Sequence, residues 1–199
     1  MNVIRVPGAL DHRTIDGLLD EVALLPEERN LFDARHLRWV DPSGMVGLLT
    51  AGAVAAQKQD TMPRLEVPEN IEVRGYLSRM GFFKAAHEVF ELESPRRQDS
   101  NEKSDVLLEI TSIAANADVH DVVDRVQQRA GAILTSKLGY SVTSVVQFSV
   151  ILSEVCQNII EHAEAPGWVA AQTYNWEHRL GRFVVVISVM DLGRGFRGS

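Results

Sequence analysis

The 199-residue sequence has little cysteine, no basic block and no long hydrophobic run. The single cysteine, Cys156, excludes an internal disulfide and a multi-cysteine metal site, and we expect it to be buried as a small apolar residue. The net charge of −7 argues against a nucleic-acid-binding surface. No apolar run approaches the roughly 20 residues that span a bilayer, and the N-terminus has no secretory signal pattern. These absences predict a cytoplasmic protein that binds neither nucleic acid nor membrane.

The chain has 45% hydrophobic residues, enough for real cores, and a length that suits one large or two small domains. Residues 93–104 contain no aliphatic or aromatic side chain, include Pro95 and mix both charge signs. Such a segment cannot bury enough apolar surface to offset its ordering entropy. We therefore predict domains at 1–92 and 105–199, joined by a linker at 93–104.

The first domain alternates predicted strands and helices, which indicates an α/β layer sandwich. Apolar patterning predicts strands at 3–6, 30–34 and 63–67, and helices at 13–25, 41–56 and 71–80. Asp41 is the predicted cap of the second helix, with Pro42 at its first helical position.

The second domain is also predicted to be α/β. Strands are expected at 106–110, 168–174 and 183–190, and helices at 121–138 and 144–163. The apolar stripe expected to face the sheet is Phe148, Leu152, Val155 and Ile159. The β-branched run 184–187 favours a strand that is buried on both faces.

Two polar patterns in this domain point to a nucleotide site. Glu154, Asn158 and His162 follow one another at steps of four, which places them along one side of a helix, at the margin between core and solvent. A carboxylate there can deprotonate a hydroxyl, and a carboxamide oxygen suits Mg²⁺. Asp191 follows a strand and can accept a hydrogen bond from an exocyclic amino group. Gly193 and Gly195 allow the backbone to approach a flat base closely.

This arrangement resembles the GHKL (Bergerat-fold) ATPases over roughly residues 106–196, and most closely the bacterial anti-sigma-factor serine kinases. The resemblance implies that the site binds ATP and Mg²⁺. It also implies that Glu154 is the general base, that Asn158 is the magnesium ligand and that His162 lies near the phosphates. Asp191, Gly193 and Gly195 match the first glycine box, in which the Asp reads the adenine amino group.

The match departs from the family pattern in two ways. Ile159 replaces a small residue after the magnesium-binding Asn, so we expect crowding of the site. The ATP lid and the second glycine box have no counterpart before Ser199, which predicts an incomplete ATP-binding domain. Arg194 and Arg197 are the cations expected near the phosphates.

The segment Asp41-Pro-Ser-Gly resembles the signature of STAS domains, the fold of anti-sigma-factor antagonists, and this match covers most of residues 1–92. The resemblance implies that Ser43 is the serine phosphorylated by a GHKL kinase and that Asp33 is the acid ending the preceding strand. A phosphate adds about −1.5 to −2 charges, which a helix N-terminus tolerates but a fitted partner surface does not. The alternative is that Ser43 only helps to cap the helix. Trp39 is either a partner anchor or a half-buried core residue.

Two functions from different classes remain open. The first is a cytoplasmic partner-switching regulator with Ser/Thr kinase activity on an STAS serine. Its expected partners are proteins: a sigma factor, an STAS-type antagonist or a second copy in a homodimer. The second is a non-catalytic interaction scaffold with a degenerate nucleotide site. A third, an ATP-driven clamp, is weaker because no transducer domain follows.

Overall fold

A computed structural model describes residues 1–26, 28–59, 61–93, 106–136, 139–163, 166–176 and 182–193. The chain forms two compact units, Met1–Lys103 and Ser104–Ser199. Both units mix helices with small sheets, so the mixed α/β class predicted from the sequence is confirmed at that level. The predicted linker lies outside the described residues except for Glu93.

The first unit is built from short parallel strands and the helices that connect them. Its elements are β1 (Asn2–Arg5), β2 (Ala9–Leu10), α1 (Ile15–Ala23), β3 (Asn30–Asp33), β4 (Trp39–Val40), α2 (Pro42–Gln59), β5 (Arg64–Glu66), α3 (Ile71–Arg79) and α4 (Phe82–Ala86). Strands pair in the order β1-β3-β5, and β2 pairs with β4. All these pairs are parallel. Parallel neighbours need crossover connections, which α1 and α2 supply.

The core of this unit surrounds α2. Met45, Leu48 and Leu49 are buried, and Phe32 packs edge-on against Phe90 with ring centroids 5.1 Å apart. Small residues let α2 approach its neighbours: a Cβ on Gly44, Gly47 or Gly52 would lie within 2.3 Å of Leu10, Ile15 or Phe90, respectively. Close packing therefore excludes larger side chains from one side of α2.

The second unit packs two helices on an antiparallel sheet. Its elements are β6 (Val106–Ile113), α5 (Asn116–Ser136), α6 (Val142–Asn158), a π turn (Ile159–Ala163), β7 (Gly167–Trp176) and β8 (Arg182–Asp191). The sheet order is β6-β7-β8. β7 and β8 pair without a break from Gly167↔Asp191 to Trp176↔Arg182, whereas the β6–β7 ladder has two register shifts.

Two predictions about burial in this unit need correction. The predicted stripe of α6 is confirmed for Leu152 and Ile159, which are buried, and for Phe148, which packs against the core, but it is wrong for Val155, which is 40% exposed. The buried row is Val145, Ser149, Leu152, Cys156 and Ile159. The run Val184–Ile187 is not buried on both faces: its first three residues are partly buried and Ile187 is 36% exposed. The reason is the position of β8, which is at the end of the sheet and pairs with β7 alone among the described strands.

The expectation that no segment approaches membrane-spanning length also needs correction. The 20 residues Val142–Glu161 are long and apolar enough by composition, with a mean hydropathy of 1.2. Only 28% of that window is buried. A core helix of a soluble protein passes the same test, and one row of α6 does belong to the core of the second unit.

Candidate functional site

The N-terminus of α2 is capped by Asp41, as predicted. The Asp41 carboxylate accepts a hydrogen bond from the Gly44 N–H at 2.8 Å, and its carbonyl accepts one from the Met45 N–H at 3.0 Å. Pro42 occupies the first helical position, where no N–H is needed. Asp41 is only 4% exposed, and this burial raises its carboxyl pKa above the usual value. The helix start is therefore held by a buried carboxyl group.

A second buried carboxylate, Asp11, interacts with this cap. The carbonyl of the preceding Leu10 accepts the Asp41 N–H at 3.2 Å. Asp11 accepts three hydrogen bonds from Arg13, from the backbone N–H at 2.9 Å, from Nε at 3.0 Å and from Nη2 at 2.6 Å. The side-chain bonds to Arg13 lower the Asp11 pKa, while the charge of Asp11 adds to the rise at Asp41. The pKa values of the two carboxyl groups are thus shifted in opposite directions.

Ser43 lies in the first turn of α2 and is partly buried. Within the described residues its hydroxyl makes no hydrogen bond, and the side-chain cap comes from Asp41. The side-chain cap is therefore supplied by Asp41, and among the described residues the Ser43 hydroxyl adds no hydrogen bond to it. Trp39 lies two residues before Asp41 and is 42% exposed, so the side chain is half-buried and its exposed part is available to a partner.

Asp33, the acid that the STAS resemblance places at a strand end, is the last residue of β3. It pairs with Arg35, which donates from Nε at 2.8 Å and from Nη2 at 2.7 Å. These hydrogen bonds lower the pKa of Asp33 to about 2. Asp33 is therefore a charged carboxylate that is already engaged by a neighbouring cation.

In the second unit, Glu154 and Asn158 lie on the exposed side of α6, one turn apart. Each is two residues from the buried Cys156, an angular offset of about 200°. Their row therefore faces away from the sheet. The prediction placed this row at the margin between core and solvent; the structure places it farther out, on the solvent side.

The prediction of one regular helix over 144–163 is wrong at its end, because Ile159–Ala163 form a π turn. Such turns occur frequently at functional sites. The backbone of His162 lies in this turn, and its side chain is outside the described part of the structure. Ile159 is 3% exposed and belongs to the core of the second unit. The crowding of the site expected from this residue stays a prediction.

The π turn meets the sheet at Gly167. A Cβ on Gly167 would lie 3.0 Å from Cδ1 of Ile159 and 2.7 Å from the carbonyl oxygen of Met190. Gly167 is also the register partner of Asp191, the last residue of β8. The end of α6, which carries Asn158, and the end of β8 therefore lie at the same end of the second unit.

The Asp191 side chain is exposed and organises the turn after β8. Its Oδ1 accepts a hydrogen bond from the Gly193 N–H at 2.8 Å, and the Leu192 N–H donates to the carbonyl of Pro166 at 3.3 Å. Among the described residues no hydrogen bond to Oδ2, the second carboxylate oxygen of Asp191, is formed, and in this part of the chain it can accept one from a ligand. The remaining predicted residues of this region, Gly195, Arg194 and Arg197, lie outside the described residues.

The described residues hold no group of three His, Cys, Asp or Glu side chains that could bind a metal. A magnesium site at Asn158 does not require such a group, because Mg²⁺ uses few protein ligands and keeps several waters. His36, His87 and His120 are exposed, and His178 is outside the described residues. Cys156 is fully buried, which raises its thiol pKa to about 11 and makes it a poor metal ligand or nucleophile.

Two positions that sequence reasoning gave no role contribute to these sites. The first is Asp11. An acid shortly before a helix usually indicates a local cap, so the sequence contained little sign that Asp11 interacts with Asp41. Gly167 is the other, and a glycine that opens a strand is a recognised sign of close backbone approach. A cavity of about 330 Å³ lies elsewhere in the first unit, lined by residues 64–67 and 91–93, and includes none of the predicted site residues.

No protein-family model, curated protein or solved structure matches this chain. Both family resemblances therefore rest on the residues quoted from the sequence.

Proposed function

We propose that the chain is a cytoplasmic partner-switching regulator. In this proposal the second unit is a GHKL-type module that binds ATP with Mg²⁺, and the first is an STAS-type module that carries the modifiable serine, Ser43. The observation that supports it best is the meeting of Ile159 with Gly167, because it brings the ends of α6 and β8 together. Asn158 and Asp191, the two residues with the clearest nucleotide-binding chemistry, lie at those ends.

Each residue has a role in the proposed site. The free oxygen of Asp191 accepts a hydrogen bond from the adenine amino group, and the turn at Gly193 allows the base to approach the backbone. Asn158 holds the magnesium ion, which offsets the charge of the phosphates. His162 lies near those phosphates. Glu154 takes the proton from the attacking serine hydroxyl.

The proposed reaction is phosphoryl transfer to a serine. The serine oxygen attacks the γ-phosphorus, the bond to the β–γ bridging oxygen breaks, and ADP leaves while Glu154 holds the proton. The acceptor is the serine of an STAS-type antagonist or Ser43 of the same protein. For Ser43, a tether of about a dozen residues gives an effective concentration in the millimolar range.

The electrostatics of the α2 start explain how the modification would act as a switch. A phosphate on Ser43 is favoured by the helix N-terminus, but it lies two residues from the buried carboxyl of Asp41. The helix can therefore tolerate the phosphate, whereas a partner that packs on Trp39 and the neutral serine is repelled. A sigma factor or an antagonist protein is the expected partner.

Transfer of labelled γ-phosphate from ATP to the purified chain tests this proposal. We expect incorporation that maps to Ser43 by mass spectrometry in the wild type, loss of that site in Ser43→Ala, and a fall of at least a hundredfold in rate in Glu154→Ala. Equal rates with Glu154→Ala would remove Glu154 from the mechanism.

The second candidate is a non-catalytic scaffold or nucleotide sensor. The observation in its favour is the position of Glu154, which faces solvent on the side of α6 away from the sheet. Binding of ATP without any phosphate transfer to this chain or to an added STAS-type antagonist would select the scaffold over the kinase.

A further inference from the structure

The strand pair β2–β4 presents an exposed tryptophan on a backbone fixed by hydrogen bonds. Trp39 is 42% exposed, although Trp is on average a highly buried residue. The backbone N–H groups of Trp39 and Arg38 both donate to the carbonyl of Gly8, at 3.1 and 2.8 Å. The buried side chains of Leu37 and Val40 anchor the same segment on either side. The exposed ring is therefore held in place before any partner arrives, which lowers the entropy lost on binding.

The charged residues that flank this strand pair are sorted by sign, with the acids buried and the cations exposed. Asp11 and Asp41, which directly follow the two strands, are 1% and 4% exposed. Arg13 pairs with Asp11, yet the arginine side chain is 74% exposed whereas the aspartate side chain is 2% exposed. Arg38, which directly precedes β4, is exposed as well. A partner that approaches Trp39 therefore meets guanidinium groups rather than carboxylates.

This local excess of exposed cations contrasts with the acidic character of the chain, which has a net charge of −7. Residues 34–59 contain Arg35, Arg38 and Lys58 but a single acid, Asp41. Arg35 is held by an acid of β3, and Lys58 donates to carbonyls at the end of α1. The cations beside the tryptophan are thus suited to a partner of opposite charge, since complementary charge favours both encounter and specificity.

We propose that the surface formed by Arg13, Arg38 and Trp39, here called the Trp39 surface, binds an acidic segment of a partner protein. An apolar side chain of that segment packs on the exposed part of the Trp39 ring, and its carboxylates accept hydrogen bonds from the two guanidinium groups. Trp and Arg are the residue types most enriched among those that dominate binding at interfaces. Single-stranded nucleic acids also bind Arg and aromatic side chains, but the net charge of −7 disfavours a phosphate backbone.

The inference rests on the proposed function in one respect, because it names the chemistry of the partner that the Ser43 switch controls. A phosphate on Ser43 adds about −1.5 to −2 charges to the helix that follows β4, and this charge repels an acidic segment directly. Binding of the segment to the unmodified chain needs neither nucleotide nor phosphate transfer. A failed phosphate-transfer assay and a failed binding assay are therefore distinct results.

Fluorescence anisotropy of a labelled peptide in which glutamates flank a central phenylalanine tests the proposal on the full chain. We expect saturable binding that weakens as salt is raised, and about tenfold weaker binding of a matched peptide in which glutamines replace the glutamates. Arg38→Glu and Trp39→Ala are each expected to weaken binding of the glutamate peptide about tenfold. The matched controls are Lys84→Glu, at an exposed lysine on α4, and Leu24→Ala, at an apolar side chain that is 86% exposed. Both controls are expected to bind the peptide as the wild type does.

The proposal would be overturned if the wild type did not bind the glutamate peptide, if the glutamine peptide bound equally well, or if the two controls lost as much affinity as the two surface variants. Tighter binding of an oligothymidylate strand than of the peptide would assign the Trp39 surface to single-stranded nucleic acid instead. Circular dichroism checks that each variant is folded. If Trp39→Ala does not fold, Arg38→Glu and the salt dependence of the wild type decide the question.

Discussion

At the scale of single residues, Asp41 has a structural role at the start of α2, whereas the role proposed for Ser43 is regulatory. Asp41 holds the start of α2 through the Gly44 N–H, whereas the Ser43 hydroxyl has no such role among the described residues. We therefore expect Asp41→Ala to lower the free energy of unfolding by about 1 kcal/mol, and Ser43→Ala to change it by less than about 0.5 kcal/mol. Urea denaturation of both variants checks this. An equal loss of unfolding free energy in the two variants would indicate that Ser43 also caps the helix.

The raised pKa of Asp41 predicts a pH-dependent difference between the wild type and Asp41→Asn. Asn keeps the oxygen that accepts the Gly44 N–H but carries no charge. Because the folded pKa of Asp41 lies above its unfolded value of 3.8, the folded state binds more protons, and this contribution to stability falls as the pH rises through the folded pKa.

Asp41→Asn is therefore expected to gain stability relative to the wild type as the pH rises from about 3.8, with the gain levelling off above the folded pKa. Unfolding free energies measured at intervals from pH 3.5 to about pH 8 provide the comparison. A gain that shrinks as the pH rises would mean that the carboxylate is stabilised in the folded state.

Local features at this scale were predictable from the sequence, and contacts between distant residues were not. The Asp41 cap and Pro42 follow from their own neighbours along the chain. The effect of Asp11 on Asp41 depends on the pairing of β2 with β4, two strands of two residues each that have no periodicity to read. Ile159 is a similar case, because only the packing on Gly167 shows that it faces the core.

At the scale of helices and strands, close packing around α2 gives opposite expectations for two glycines. Gly52→Ala puts a methyl group 2.3 Å from the Phe90 ring, so we expect a loss of about 1–3 kcal/mol in unfolding free energy. Gly17→Ala, on α1, meets nothing within 4 Å, so we expect a gain of about 0.5–1 kcal/mol from helix propensity. Thermal or urea denaturation measures both. Similar effects of the two substitutions would contradict the packing described for α2.

The positions of most helices and strands were predictable because the period of apolar residues differs between the two kinds of element. The face that each one buries was harder to predict on α6, which is apolar on several sides: Val146, Val150 and Ile151 are all more than half exposed. More than one row of α6 is therefore apolar enough to face the core. The predicted row included Val155, which is exposed. The run 184–187 likewise indicated a strand but not that the strand lies at an edge.

At the scale of the whole molecule, the chain combines two α/β units, each with one candidate site. The first presents a serine at a helix start that is held by a buried acid. The second brings the end of α6 to the end of β8. The resemblance to two signalling families came from short motifs, which specify chemistry within a unit. Motifs carry no information about the order of strands in a sheet, so the position of β8 at the end of the described sheet emerges only from the strand order and register.

Calorimetric titration of the full chain with Mg²⁺ and a non-hydrolysable ATP analogue tests the nucleotide site most directly. Asp191→Asn is the informative variant, because the amide oxygen can still accept the Gly193 N–H while the second acceptor oxygen becomes an NH2 group, which cannot accept from the adenine amino group. Asp121→Asn, an exposed helical acid paired with Arg125, is the matched control. We expect saturable binding to the wild type and to the control, weakened about 10- to 100-fold in Asp191→Asn. Binding that is absent from the wild type, or equal in all three proteins, would contradict an adenine-nucleotide site at the meeting point of α6 and β8.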